Sequence, residues 1–226
     1  MDLLLNDVTM QEFMSPILLS LKIALVSGMI VIVLGTLLGR VLSRSKFIGK
    51  PIVETILMLP MVLPPTVIGF FLIIIFGKNN FLGQAIEWLF QQPIIFTWWA
   101  AVIAATIVAF PLMYQSAKSG FQGIDREIEE AARVDGANEW NIFFFISIPL
   151  ASRSLISGSI LSLARALGEF GATFMFAGNI PGKTQTLPTA IYIAMDSGNM
   201  KMAWLWVISI VLISFIMLLT IRVKQE

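Results

Sequence analysis

An all-α integral membrane protein of five to six transmembrane helices is the fold class that the sequence predicts, on three observations. The 226 residues have only 13% charged side chains and a mean hydropathy of +0.86. A soluble domain carries roughly 25% charged residues, so this chain cannot cover a compact globule with solvated surface. Apolar blocks of about 20 residues, the helix length that crosses a hydrocarbon core of about 30 Å, recur along it. The basic residues between those blocks are strongly skewed to one side.

Composition also excludes functions. Fifteen basic and fourteen acidic residues leave +1, which argues against nucleic-acid binding by bulk charge. The chain has neither Cys nor His, so disulfides, thiolate catalysis, imidazole acid–base work and the commonest zinc sites are absent. Chemistry is left to carboxylates, hydroxyls, Lys and Arg, or to a partner.

Five spans follow in order. Span one covers Ser15–Gly39, with Lys22 its one charge. Span two covers Pro51–Phe76, with Glu54 in its first turn. Span three, Ile94–Ala117, carries no charge; span four, Ser154–Gly178, contains Arg165 and Glu169; span five, Met202–Ile221, is uncharged. Ten basic residues flank one side: Arg40, Arg44, Lys46, Lys50, Lys118, Arg126, Arg133, Arg153, Arg222 and Lys224. Lys78, Lys183 and Lys201 flank the other, beside an N-terminal tail bearing Asp2, Asp7 and Glu12. The positive-inside rule then predicts an outside N-terminus and a cytoplasmic C-terminus. The acidic flank and long apolar run mark span one as retained rather than as a secretory signal. No internal repeat or matching halves are visible, which counts against a secondary transporter.

Two spans are unusual. Span two contains Leu59-Pro60-Met61-Val62-Leu63-Pro64-Pro65, and its prolines deprive the carbonyls of Ile56, Pro60 and Met61 of their helical donors. Such a stretch is expected to break, and to be packed in protein or line a wet pathway rather than face lipid. In span four, Ser154, Gly158, Ser162 and Ala166 repeat every four residues and allow a neighbouring helix to approach closely. Arg165, Glu169 and Thr173 repeat every four on another face. They read either as a self-neutralising pair that fixes packing or as a pathway in which Arg165 lends positive potential to an anion.

Residues 118–153 are too charged for the bilayer. Asp125 can cap a helix, and Glu127, Glu129 and Glu130 place negative charge in its first turns, where the dipole favours it. Ala131 and Ala132 present almost no side-chain bulk, and Gly136 supplies a left-handed stop. Asn138 can start a second short helix, whose Trp140, Ile142, Phe143 and Phe144 give a sticky surface before Pro149 opens span four. A bald Ala-Ala patch beside exposed apolar side chains reads as a docking site.

Glu130-Ala131-Ala132, three residues, Gly136, nine residues and Ile146-x-Ile148-Pro149 resemble the EAA loop of ABC importer permeases, whose pattern is E-A-A-x3-G-x9-I-x-L-P. Ile148 is the one departure, where Leu is usual. The resemblance implies a type I (MetI-like) permease fold, one transmembrane domain over residues 1–226 with a cytoplasmic coupling loop at 118–153. It assigns ATPase coupling to Glu130, Ala131, Ala132, Gly136, Ile146 and Pro149. A second segment narrows the substrate. Residues 164–173 (ARALGEFGAT) and 179–188 (NIPGKTQTLP) are similar to molybdate permeases of the ModB type, and Leu59-Pro60-x-x-Leu63-Pro64-Pro65 and Gly69 also fit. Sulfate and thiosulfate permeases resemble a GEYGS variant instead, and tungstate is nearly isosteric with molybdate.

What the resemblance implies is a non-catalytic membrane subunit in a prokaryotic cytoplasmic membrane. It would pair with a second copy of itself, two cytoplasmic ATPase subunits and an extracytoplasmic oxyanion-binding protein, among membrane lipid and with no nucleic acid. The chain would bind no cofactor, ATP and magnesium being used by the partner, and no phosphate-binding loop ending in Lys-Ser or Lys-Thr is present. Pro60, Pro64, Pro65, Arg165, Glu169 and Thr173 are the candidate pathway residues. The competing classes are an ion-coupled transporter, which would show unpaired carboxylates within spans, and a membrane enzyme, for which catalytic groups are scarce.

Overall fold

The computed structural model describes residues 10–225, with side chains described through residue 219. Asp2 and Asp7 of the acidic tail, and the side chains of Arg222 and Lys224, lie outside the described residues. Every regular element among the described residues is helical.

The first helix, α1 (Met10–Arg44), begins five residues before and ends five residues after span one. The apolar stripe set the expected limits, but helix geometry does not stop where lipid does. Arg40 and Arg44 therefore project from the last turns of a rigid helix, not from a loop. Span two is two helices, α2 (Lys50–Val62) and α3 (Pro65–Phe76), bent by 116° at Leu63–Pro64. The proline run makes a true break, as expected of consecutive residues that cannot donate. A helix not anticipated, α4 (Phe81–Phe90), follows, with the Asn80 side chain accepting from the Leu82 N–H. Span three is α5 (Trp98–Gln122), started by Thr97.

Next come α6 (Arg126–Val134), α7 (Glu139–Ile142), a π turn (Phe143–Ser147) and α8 (Ile148–Leu167). The last three form one continuous helix over Glu139–Leu167. Span four thus starts well before Ser154, and ends at Leu167 rather than Gly178. The expectation that Pro149 opens the span is corrected. Pro149 sits inside a helix already running, where Ile148 donates to Phe143 five residues back and widens the turn ahead of the proline. After a break come α9 (Gly171–Ala177), α10 (Leu187–Asp196) and α11 (Met200–Gln225). Among the described residues four helices are long and apolar enough to cross a membrane, or five with the bent α2–α3 pair. At ten residues α10 is too short to be a sixth.

The heart of the bundle is α1, α5 and α8. In lipid no hydrophobic force drives helices together, so association relies on small residues that let backbones meet. Ala100, Ala101, Ala104, Ala105 and Ala109 bury one face of α5 completely. A Cβ on Gly39 of α1 would lie 2.9 Å from the Lys118 amide nitrogen, and one on Gly158 of α8 would lie 2.5 Å from Ser116 Cβ. The predicted small-residue stripe of span four is therefore a packing seam, with Gly158, Ser162 and Ala166 all buried. At the far end, Ser20 of α1 accepts from the Leu187 amide at 2.7 Å, and Trp206 of α11 donates to the Phe13 carbonyl at 3.0 Å. These bonds hold α10 and α11 against α1.

Candidate coupling site and broken span

Helix α6 forms as its sequence dictates. The Asp125 carboxylate accepts from the Glu127 N–H at 3.1 Å, and Glu127 and Glu129 lie in the first turn. Its end is a Schellman turn. Ala137 donates to the Ala132 carbonyl and Gly136 to that of Arg133, both at 3.0 Å, while Gly136 takes φ +89°. A Cβ there would meet nothing within 4 Å, so backbone conformation, not space, requires the glycine. Glu130, Ala131 and Gly136 are exposed and Ala132 is half-buried, which leaves the Ala-Ala face open.

The opposite face is locked. Glu129 is only 3% exposed, and its Oε1 accepts from Arg40 Nη1 at 2.7 Å and from the Ser147 hydroxyl at 2.9 Å. Arg44 Nη2 lies 3.3 Å from Oε2 and donates to the Ile124 carbonyl at 3.2 Å. Arg40 also sits over the Phe121 ring, 5.7 Å from its centroid. Burial works to raise the Glu129 pKa. The hydrogen bonds from Arg40 and Ser147 and the charges of Arg40 and Arg44 outweigh it, and hold the carboxyl below its ordinary range. One carboxylate thus joins the end of α1, the hidden side of α6 and the start of the long helix. Sequence reading gave Glu129 only a dipole role. The missed signal was Arg40-x3-Arg44, two guanidinium groups one turn apart with no acid within reach on their own helix.

Ile146 and Pro149 do not sit on α6. They bracket Ser147 at the π turn, with Ile146 half-buried and Pro149 exposed. The sticky surface is also redistributed: Ile142 is fully buried and Phe143 packs on Phe121, while Trp140 and Phe144 remain exposed with rings 6.0 Å apart. Arg133 and Glu139 pair at 2.6 Å across the turn between α6 and α7.

At membrane depth the candidate pathway residues separate. Pro64 is exposed at the α2–α3 bend, between the half-buried Pro60 and Pro65. Arg165 Nη1 lies 2.7 Å from Glu169 Oε2, with the carboxylate side chain 1% and the guanidinium 33% exposed. Glu169 Oε1 accepts from the Ala172 amide at 2.8 Å and so starts α9. The pair is real, but the stripe is not. The helix ends at Leu167, and Thr173 belongs to α9, where it is buried and off the Arg165–Glu169 line. Residues Phe170 and Ala172 are packing groups. The Phe170 ring lies 5.4 Å from that of Tyr192, and Ala172 takes the place opposite Gly69, whose absent Cβ would come within 3.1 Å of its Cα.

Apolar spans packed on α1, α5 and α8, with a broken helix at their flank and a short amphipathic helix tethered on one face, define a multi-span membrane protein. Residues 31–224 match the family described as the binding-protein-dependent transport system inner membrane component, and the chain belongs to it. It is therefore a multi-pass inner-membrane permease. It is 64% identical over 225 residues to YvgM of Bacillus subtilis strain 168, a protein assigned as a molybdenum transport system permease, covering 100% of this chain and 99% of that one. It is 39% identical over 215 residues to the molybdenum transport system permease protein ModB of Escherichia coli K12, covering 93% and 94%. A sulfate transport system permease protein, CysW of Synechococcus elongatus, is 34% identical over 188 residues, covering 81% of this chain and 63% of its own. The fold is that of a chain of the MetNI methionine ABC transporter in an inward-facing form. That chain has a TM-score of 0.70 at 18% identity, with 94% of each chain covered. A bacterial ABC transporter involved in alginate import has a TM-score of 0.77 at 15% identity, covering 96% of this chain and 79% of that one.

Proposed function

We propose that this chain is the membrane-spanning subunit of a molybdate importer. Two copies pair around the pathway, two cytoplasmic ATPase subunits grip the α6 helices, and an extracytoplasmic binding protein delivers the anion. ATP binding in the partner draws the α6 helices together and opens the bundle outward, and hydrolysis with release returns it. The chain itself carries no catalytic step, and its N-terminus lies outside.

The observation that carries the coupling assignment is the two-sidedness of α6, bare at Ala131 and pinned at Glu129. A helix that must pass force needs a surface another protein can cover and a rigid attachment behind it. The substrate assignment rests on relatives named for molybdenum transport at 39–64% identity over nearly the whole chain. Sulfate is the weaker alternative, supported by the more distant CysW. Ion coupling is disfavoured because Glu54 and Glu169 both have cationic partners. The complex, purified with its ATPase and binding protein in lipid, should hydrolyse ATP faster with molybdate or tungstate than with sulfate. Equal stimulation by sulfate, or none by any oxyanion, overturns this reading.

A further inference from the structure

At the end of the bundle nearest α6, α2 and α5 part around an open groove of about 470 Å³ whose wall includes Thr55, Met58, Val62 and Gln115. Two donors from α5 meet there on one oxygen, and a lysine of α2, which donates to the Ser45 carbonyl at 3.0 Å, stands close by. Lys118 Nζ lies 2.7 Å, the Tyr114 hydroxyl 3.3 Å and Lys50 Nζ 3.9 Å from Oε1 of Glu54. Tyr114 is fully buried, and the side chains of Lys118 and Glu54 are 17% and 22% exposed, so the cage is built yet reachable. Gln115 also lines a neighbouring groove of about 390 Å³ with Ser119, Ser157 and Arg153, a wall of hydroxyl, amide and guanidinium donors without an acid.

An ammonium and a phenol that donate to one anionic oxygen, with a second ammonium 3.9 Å away, recognise oxyanions in general. In this conformation the oxyanion they hold is the chain's own carboxylate. We propose that Lys118, Tyr114 and Lys50 form a way-station for the transported oxyanion at the inner mouth, and that Glu54 is a tethered competitor which keeps that station weak. The inference rests on the oxyanion-importer reading and adds its exit site. A doubly charged tetrahedral anion draws the two lysines more strongly than a single carboxylate does. Without a competitor it would be trapped, whereas conduction needs sites that release as readily as they bind. Because Glu54 is held on α2, its effective concentration at the cage stays high after each release. The donors of the adjoining groove give the displaced anion its next partners.

The test uses the complex with its ATPase in lipid nanodiscs, without the binding protein, and measures equilibrium binding of radiolabelled sodium molybdate. Glu54→Gln should bind molybdate about tenfold or more tighter than wild type, the scale of one charge-assisted contact. The full system carrying that variant should import more slowly. Glu54→Asp, which keeps the charge but shortens the tether, should show part of the gain. Adding Lys118→Gln to Glu54→Gln should abolish it, and Lys118→Arg should preserve it. If Glu54 merely fastens α2 to α5, its variants lose abundance and gain no binding. Unchanged binding in both Glu54 variants, in a wild-type complex that still imports molybdate, overturns the way-station alone. Failure of the wild-type complex to import any oxyanion overturns the importer reading, and the way-station with it.

Discussion

Glu129 and Glu169 are the same chemical object in two places. Each is a buried carboxylate, paired with arginine at 2.7 Å and sitting beside the start of a helix. Their partners differ. Glu169 is served from within four residues, by Arg165 behind it and the Ala172 amide ahead. Glu129 is served by Arg40, 89 residues away, with Arg44 beside it, and by Ser147 from the helix that follows. A locally served carboxylate shapes the chain where it breaks. One served from afar fastens separate elements into a single body. Burial and charge alone therefore do not tell what a buried ion pair does; the sequence distance to its partners does.

That contrast can be broken by mutation. The largest effect is expected at Glu129→Ala, which leaves two guanidinium groups facing a buried void. Breaking such a pair costs about 3–5 kcal/mol, so thermal denaturation of the detergent-solubilised protein should show a large loss of stability, and uptake should be lost with it. Glu169→Ala should cost less, about 1–3 kcal/mol for a charged hydrogen bond, since one arginine rather than two loses its partner and Arg165 is less enclosed than Arg40 or Arg44. Its partner variant Arg165→Ala should lower oxyanion uptake more than protein abundance. Equal loss of both would assign the pair to packing alone.

Smaller effects are expected from pH and from Ser147. The folded-state pKa of Glu129 is depressed, so its contribution is fully present above the ordinary carboxylate range and lost as pH falls through the lowered value. The stability gap between wild type and Glu129→Gln should therefore be flat from about pH 6 to 8 and close in acid. A gap that widened in acid would contradict the assignment. The smallest change is Ser147→Ala, which removes one hydroxyl donor from Glu129 and should cost about 1 kcal/mol in the same denaturation assay.

Much of this was legible beforehand, for reasons the two carboxylates illustrate. Periodicity and spacing carry local information, so the caps of α6, the turn at Gly136, the break at the prolines and the Arg165–Glu169 pair could all be read. The Ser154–Ala166 stripe was equally visible, because a four-residue repeat of small side chains has one use in lipid. What escaped depended on contacts between distant segments: the reach of Arg40 and Arg44 to Glu129, and the donors around Glu54. Thr173 was misplaced because a period of four was carried across Gly168–Phe170. There the chain leaves the helix once a buried carboxylate caps the next one. The early start of the α7–α8 helix escaped because the charged and polar residues that argued against a span lie on a helix extending beyond the bilayer.

We propose that a nucleotide-driven partner takes hold of the bare face of α6. The chain contains no cysteine, so a single Ala131→Cys reports on that face without background. In the assembled complex, a short bifunctional reagent should link this position to the ATPase subunit, with a yield that changes when ATP is added. Free reactivity of the introduced thiol to a bulky aqueous probe, unaltered by the ATPase or by ATP, would mean that the partner does not hold this face.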